Sequence, residues 1–241
     1  MANPLHQFEI HVVAPIHVGG VNASLTNSGI FMLVTVAAVT LFLMFAMRNR
    51  RLVPGRWQSM AELSYEFIAG MVRDNVGNEG RRYFPFIFSL FMFILFGNLV
   101  GLVPYSFTFT SHIIVTFAMA IFVFLGVTVI GIVRHRLKFF SYFLPKGVPL
   151  VMAPLLIPIE IMSYLSRPVS LSIRLFANMM AGHTMMKVFA GFVVPLGLLG
   201  GWAPLSIDVA LTAFEFLVAF LQAYVFTILT CIYLHDAIHL H

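Results

Sequence analysis

An apolar helical run over residues 160–187, EIMSYLSRPVSLSIRLFANMMAGHTMMK, carries Glu160, Arg167, Arg174, Asn178, His183 and Lys187. Steps of three or four place Glu160, Ser163, Arg167, Ser170, Arg174, Asn178, Ala181 and Gly182 on one helical face. A second stripe at the same spacing, Asp208, Thr212, Glu215, Ala219 and Gln222, follows in residues 205–235. A charge inside a membrane helix costs about 2.5–3.5 kcal/mol on insertion scales and marks an ion or substrate path. A guanidinium keeps its proton at any physiological pH, whereas imidazoles and carboxylates exchange theirs near neutrality. If the two stripes run antiparallel, His183 and Lys187 meet Asp208, Thr212 and Glu215 at one depth. Glu160, Ser163 and Tyr164 lie at the opposite end, with Arg174 between the two groups. Proton-handling groups on both sides of a fixed positive charge describe two half-pathways with a block between them.

The elements that hold these residues are membrane helices. Of 241 residues, 60% are hydrophobic and 10% charged, with a mean hydropathy of +0.96; soluble domains average about 25% charged residues. The basic surplus, at pI 9.7, is concentrated. Seven of the 14 Lys and Arg fall between Arg48 and Arg82, and four between Arg134 and Lys146. That distribution is a topology signal and not a nucleic-acid footprint. The single Cys231 leaves no disulfide or cysteine metal site within the chain, and MANPLHQFEI lacks the basic start of a cleavable signal peptide.

We read an all-α integral membrane protein, one domain over 1–241, with five crossings. Residues 1–28 are an irregular lead-in, and 29–47 are a first span stopped by Arg48, Arg50 and Arg51. Residues 57–72 form an amphipathic interfacial helix whose apolar face is Trp57, Met60, Leu63, Phe67 and Met71. Packing of that helix on neighbouring protein is the equal alternative. Residues 83–103 and 113–133 are the second and third spans. Residues 147–190 are a broken, tilted helix with an expected kink at Pro168, and 205–235 are the last helix. Both long helices exceed a perpendicular span and should tilt, making a slanting hairpin. The positive-inside rule puts the N-terminus outside and the C-terminus inside.

The segment SLSIRLFANMMAGH resembles the signature of subunit a of F-type ATP synthases. The similarity extends through FGNLVGLVP, PIEIMSYLSRPVSLSIRLFANMMAG and FEFLVAFLQAYVFTILTCIYL, most of residues 80–235. It implies a stator subunit with two proton half-channels and no catalytic site of its own, coupling proton translocation to rotation and ATP synthesis. Arg174 matches the essential arginine facing the carboxylate of the rotating c-ring; Glu160, Asn178, His183, Glu215 and Gln222 match half-channel positions. The order of His183 and Glu215 is that of mitochondrial and α-proteobacterial members, reversed from some other bacteria. Gly101 departs from members with an acid there and is assigned no role. Implied partners are the c-ring, peripheral-stalk subunits b, the rest of the synthase, the lipid bilayer and protons. Neither a cofactor nor nucleic acid is implied, and no Gly-rich phosphate loop suggests direct ATP binding. The implied location is a bacterial inner membrane, with a periplasmic N-terminus and cytoplasmic C-terminus.

Plainer roles stand beside these. Asn98 reads first as a helix-packing hydrogen bonder and second as a proton ligand. Ser163 and Ser170 either join the pathway or bond backbone carbonyls, and Lys187 and Asp208 are further pathway candidates. Arg167 reads as structural, paired with Glu160 or reaching the inner surface, and His235, His239 and His241 as a frayed tail rather than a metal site. A secondary transporter is the main alternative; it predicts an internal repeat, which five spans do not supply.

Overall fold

The computed structural model describes residues 8–15, 17–18, 21–22, 24–48, 51–103, 106–136 and 152–239. The lead-in is more regular than expected. Strand β1 (Val12–Ala14) pairs antiparallel with β4 (Leu25–Thr26), and β2 (His17–Val18) with β3 (Val21–Asn22), forming two short ladders. Thr26 then caps α1 (Asn27–Met47) by accepting a hydrogen bond from the Gly29 amide, 3.3 Å. Few of the side chains of α1 are buried, and Leu33, Val34, Leu41, Met44 and Phe45 are exposed.

Helix α2 (Arg56–Val76) turns Ala61, Ile68, Met71, Val72 and Val76 inward and leaves Trp57, Met60, Leu63 and Phe67 exposed. Of the apolar face read from the sequence, only Met71 is buried. One side of the helix packs on protein, and the Trp57 side is open. Gly77, at φ 82°, ends it in a conformation a side chain would oppose, and residues Asn78–Tyr83 form a 3₁₀ segment leading into α3 (Phe84–Gly101). Arg134, at the end of α4 (Ile113–His135), is paired with Glu79 of that segment.

Helix α5 (Ala153–Val193) has 41 residues, about 60 Å at 1.5 Å per residue. It is one continuous helix containing Pro158 and Pro168, starting with Pro154 in its first turn, where a missing amide costs nothing. The break expected within 139–158 falls mostly on residues 137–151, outside the described residues. A one-turn helix, α6 (Gly197–Gly200), leads to α7 (Trp202–Ile238). The turn is tight: a Cβ on Gly201 would come within 2.6 Å of the Val193 carbonyl oxygen.

Helix α7 is the centre of the bundle, packed against α5, α3, α2 and α4. Its buried face includes Ala219, Ala223, Thr227, Thr230 and Cys231, small residues that let neighbouring backbones approach where lipid supplies no hydrophobic drive. Among the described residues, four segments are long and apolar enough to cross a membrane: Asn27–Met47, Asn78–Gly101, Ile113–His135 and Trp202–Ile238. Helix α5 has the length, but Glu160, Arg167, Arg174 and Lys187 dilute it. An apolar groove of about 860 Å³ between α1, α3 and α4 lies away from all these polar groups.

Candidate functional site

Helix α5 packs a mostly apolar face inward and carries a polar stripe among exposed apolar residues such as Met162, Ile173 and Met185. Leu171, Leu175, Met179 and His183, at steps of four, are buried against the rest of the chain. Ser163, Ser170, Arg174, Asn178 and Ala181 stand exposed on the other side. Arg174 makes no ion pair among the described residues. Most of the stripe read from the sequence is therefore left uncovered by the described residues, while Glu160, Arg167 and Gly182 are half-buried.

His183 and Glu215, assigned to one depth by sequence, do meet. Nδ1 of His183 lies 3.7 Å from Glu215 Oε1, and both side chains are more than nine-tenths buried. The same Nδ1 is 3.0 Å from the Met179 carbonyl one turn back. The Glu215 carboxylate fills the space beside Gly182, where any Cβ would overlap it. Around it opens a cavity of about 370 Å³ lined by Asn178, Ala181, Gly182, Glu215 and Gln222 among others. Three predicted pathway residues from two helices, Asn178, Glu215 and Gln222, thus share one cavity beside the exposed stripe.

Other predicted members stay apart. Lys187 is exposed, and Asp208 is half-buried with Oδ1 unpartnered. Thr212 donates to the Asp208 carbonyl, 2.8 Å, and approaches Met186 Sδ, 3.6 Å. The outer cluster is narrower than the sequence suggested, a single His–Glu pair. Asn98 is fully buried and donates through Nδ2 to the Ala219 carbonyl, 3.3 Å, one turn from Glu215; its packing role is visible.

Arg167 does not pair with Glu160 among the described residues. It pairs with Asp236 of α7 at 3.1 Å, and its guanidinium stands over the rings of Tyr164, 5.4 Å, and Tyr233, 5.0 Å. Tyr164 and Thr128 hydroxyls are 2.6 Å apart, tying the same point to α4. His235 belongs to α7 and stacks on His239, so it is not frayed; among the described residues no group of His, Cys, Asp or Glu could hold a metal ion.

Sequence reasoning missed the segment before α4. Thr108, 75 residues from His183, brings Oγ1 to 2.9 Å of its Nε2. The Gly101 carbonyl, given no role, is 3.0 Å from the same nitrogen. No spacing rule links these positions; only the free carbonyls that every helix end leaves hinted that the close of α3 needed donors. Nearby, burial lowers the His112 imidazole below its ordinary pKa.

A family profile described as ATP synthase A chain matches residues 29–235. The ATP synthase subunit a of Paramagnetospirillum magneticum is 60% identical over 247 residues, covering 100% of this chain and 100% of that one. That of Parvibaculum lavamentivorans is 59% identical, covering 98% and 94%. The Rhodospirillum rubrum protein of the same name is 56% identical, covering 100% of each chain.

Proposed function

The chain belongs to the ATP synthase A chain family, and from that premise we propose that it is the stator subunit that feeds protons to and from a rotating ring of c subunits. It is a multi-pass membrane component of the ATP synthase. In this reading the outer half-channel runs past His183 and Glu215 into the cavity of Asn178 and Gln222. The inner one begins at Glu160 and follows Ser163 and Ser170. Arg174 stands between them. Helix α5 supplies a fifth crossing, and α5 with α7 forms a long tilted hairpin. The N-terminus is periplasmic and the C-terminus cytoplasmic in a bacterial inner membrane, and subunits b hold the stator.

The observation that carries the reading is the exposure of Arg174. A guanidinium on an exposed face of a membrane helix, with no carboxylate among the described residues paired to it, calls for one from a partner. As a cation it draws the ring carboxylate into its ionised form, favouring proton release to one half-channel before reloading from the other. As a permanent charge it repels protons that would cross directly. The membrane potential supplies about 2.3 kcal/mol per charge per 100 mV, and a direct path would dissipate it.

The two roles separate by substitution in the whole complex, reconstituted in vesicles with a pH-sensitive dye and an imposed potential. Arg174→Ala should abolish ATP synthesis and admit passive proton flow. Arg174→Lys keeps a cation without the rigid fork, and should abolish coupled synthesis with little leak. Near wild-type synthesis by the alanine complex would make Arg174 structural and end this reading.

A further inference from the structure

Three side-chain groups converge on one carbonyl at the end of α3. Ser106 Oγ lies 2.9 Å from the Gly101 oxygen, Thr108 Oγ1 3.1 Å and His183 Nε2 3.0 Å. A carbonyl oxygen has two lone pairs, so the three cannot all be held there as good donors together. Thr108 has a second place for its proton, since its Oγ1 is also 2.9 Å from His183 Nε2.

The two neighbours of Nε2 are complementary. The Gly101 carbonyl can only accept, and so satisfies the ring when Nε2 carries a proton. The Thr108 hydroxyl can donate, and so satisfies the ring when Nε2 is bare. Nδ1 faces only acceptors, the Met179 carbonyl and the Glu215 carboxylate. In the neutral ring the proton therefore sits on Nδ1, and Nε2 is the nitrogen provided for in both states. Buried polar groups left without a partner are costly; here a change of protonation leaves none on Nε2.

We propose that Thr108 is a proton relay, passing protons between the outer 106–112 segment and Nε2 of His183. In the inward direction the Thr108 O–H bond breaks as an Nε2–H bond forms, and Oγ1 takes a replacement proton from the outer side, with no net charge left on threonine. The doubly protonated ring then releases its Nδ1 proton to Glu215; a ring flip or tautomer shift that returns a proton to the Glu215 side frees the Thr108 side to accept again, and the sequence reverses for outward flow. The segment beyond has the character of such a route. Ser106 is half-buried, and Thr110 Oγ1 and His112 Nε2 are buried without a hydrogen-bond partner. This inference rests on the proton-pathway reading above.

The test uses the complete synthase in vesicles, with potential-driven proton uptake as the readout and recovery of the c-ring with the chain as the check on assembly. Thr108→Val keeps the shape and removes the hydroxyl; it should slow uptake by about a hundredfold, the low end of what a lost proton-transfer group costs. Thr108→Ser keeps the hydroxyl and should restore uptake to near the wild-type rate. If the valine complex does not assemble, Thr108→Ala against Thr108→Ser decides on the same criterion, since both lose the methyl and one keeps the hydroxyl. Wild-type uptake without the hydroxyl, or a serine complex as slow as the one lacking it, overturns the relay. Arg174→Ala is run alongside: if it still makes ATP, the pathway reading itself has failed. If it does not while Thr108→Val conducts normally, only the relay has.

Discussion

Gly182 of α5 lies against the carboxylate of Glu215 on α7, so closely that a methyl group there would occupy the position of the carboxylate. The absence of a side chain at one residue thus creates the site of another. Gly182→Ala should push Glu215 away from His183 and into the cavity, at an overpacking cost of about 1–3 kcal/mol. The complex should still assemble, because the exposed face of α5 is untouched, but potential-driven proton uptake should fall several-fold. Wild-type uptake by the alanine variant would show that the His183–Glu215 contact is dispensable.

The Arg167–Asp236 pair should behave as one unit. Both side chains are about three-quarters buried, and the guanidinium also lies over two tyrosine rings. Removing either partner leaves a charge poorly solvated, at about 1–3 kcal/mol for a lost charged hydrogen bond. Arg167→Gln and Asp236→Asn should each lower the midpoint of thermal unfolding of the purified complex. Together they should cost clearly less than their sum, the mark of coupled neighbours. Strict additivity would mean that the two do not interact.

Orientation can be read by labelling, because the native Cys231 is buried and contributes little background. In intact cells whose outer layer is permeabilised, an impermeant thiol reagent should label Val13→Cys and spare Asn78→Cys; both positions are exposed in the fold. The opposite pattern would invert the topology inferred from the arginine-rich loops.

What the sequence made legible was local. Hydropathy runs bounded by arginines gave helices within a few residues of α1, α3, α4 and α7, and the four-residue period of α5 separated Arg174 and Asn178 from Leu175 and Met179. Even the meeting of His183 with Glu215 followed from counting residues back from a turn. Contacts between distant segments were not legible. Asp236 as the partner of Arg167, and Thr108 and Gly101 beside His183, depend on how three helices pack. Nothing in the residue types distinguishes Thr108 from the neighbouring Thr110. Helix α5 runs through Pro158, at the edge of the region read as broken, and through Pro168, where a kink is expected; a membrane helix tolerates proline when neighbouring groups re-satisfy the freed carbonyls. On α2, Trp57 and Leu63 are exposed, since in a membrane protein apolar residues face outward as readily as inward.

The outward face of α5 also has a texture. Helices that must hold register interlock, with the ridges of one side chain row seated in the grooves of another. Ser163, Ser170, Ala177, Asn178 and Ala181 are short side chains, and a row of them presents shallow relief. A helix pressed against that row meets little corrugation and can be displaced sideways without unseating side chains. Arg174 is the charged side chain standing up from it, with Ile173 beside it and Met185 further along also exposed. Mechanically the row is a smooth bearing with one charged tooth: friction is low along the short side chains, and resistance is concentrated where a charge can meet a charge.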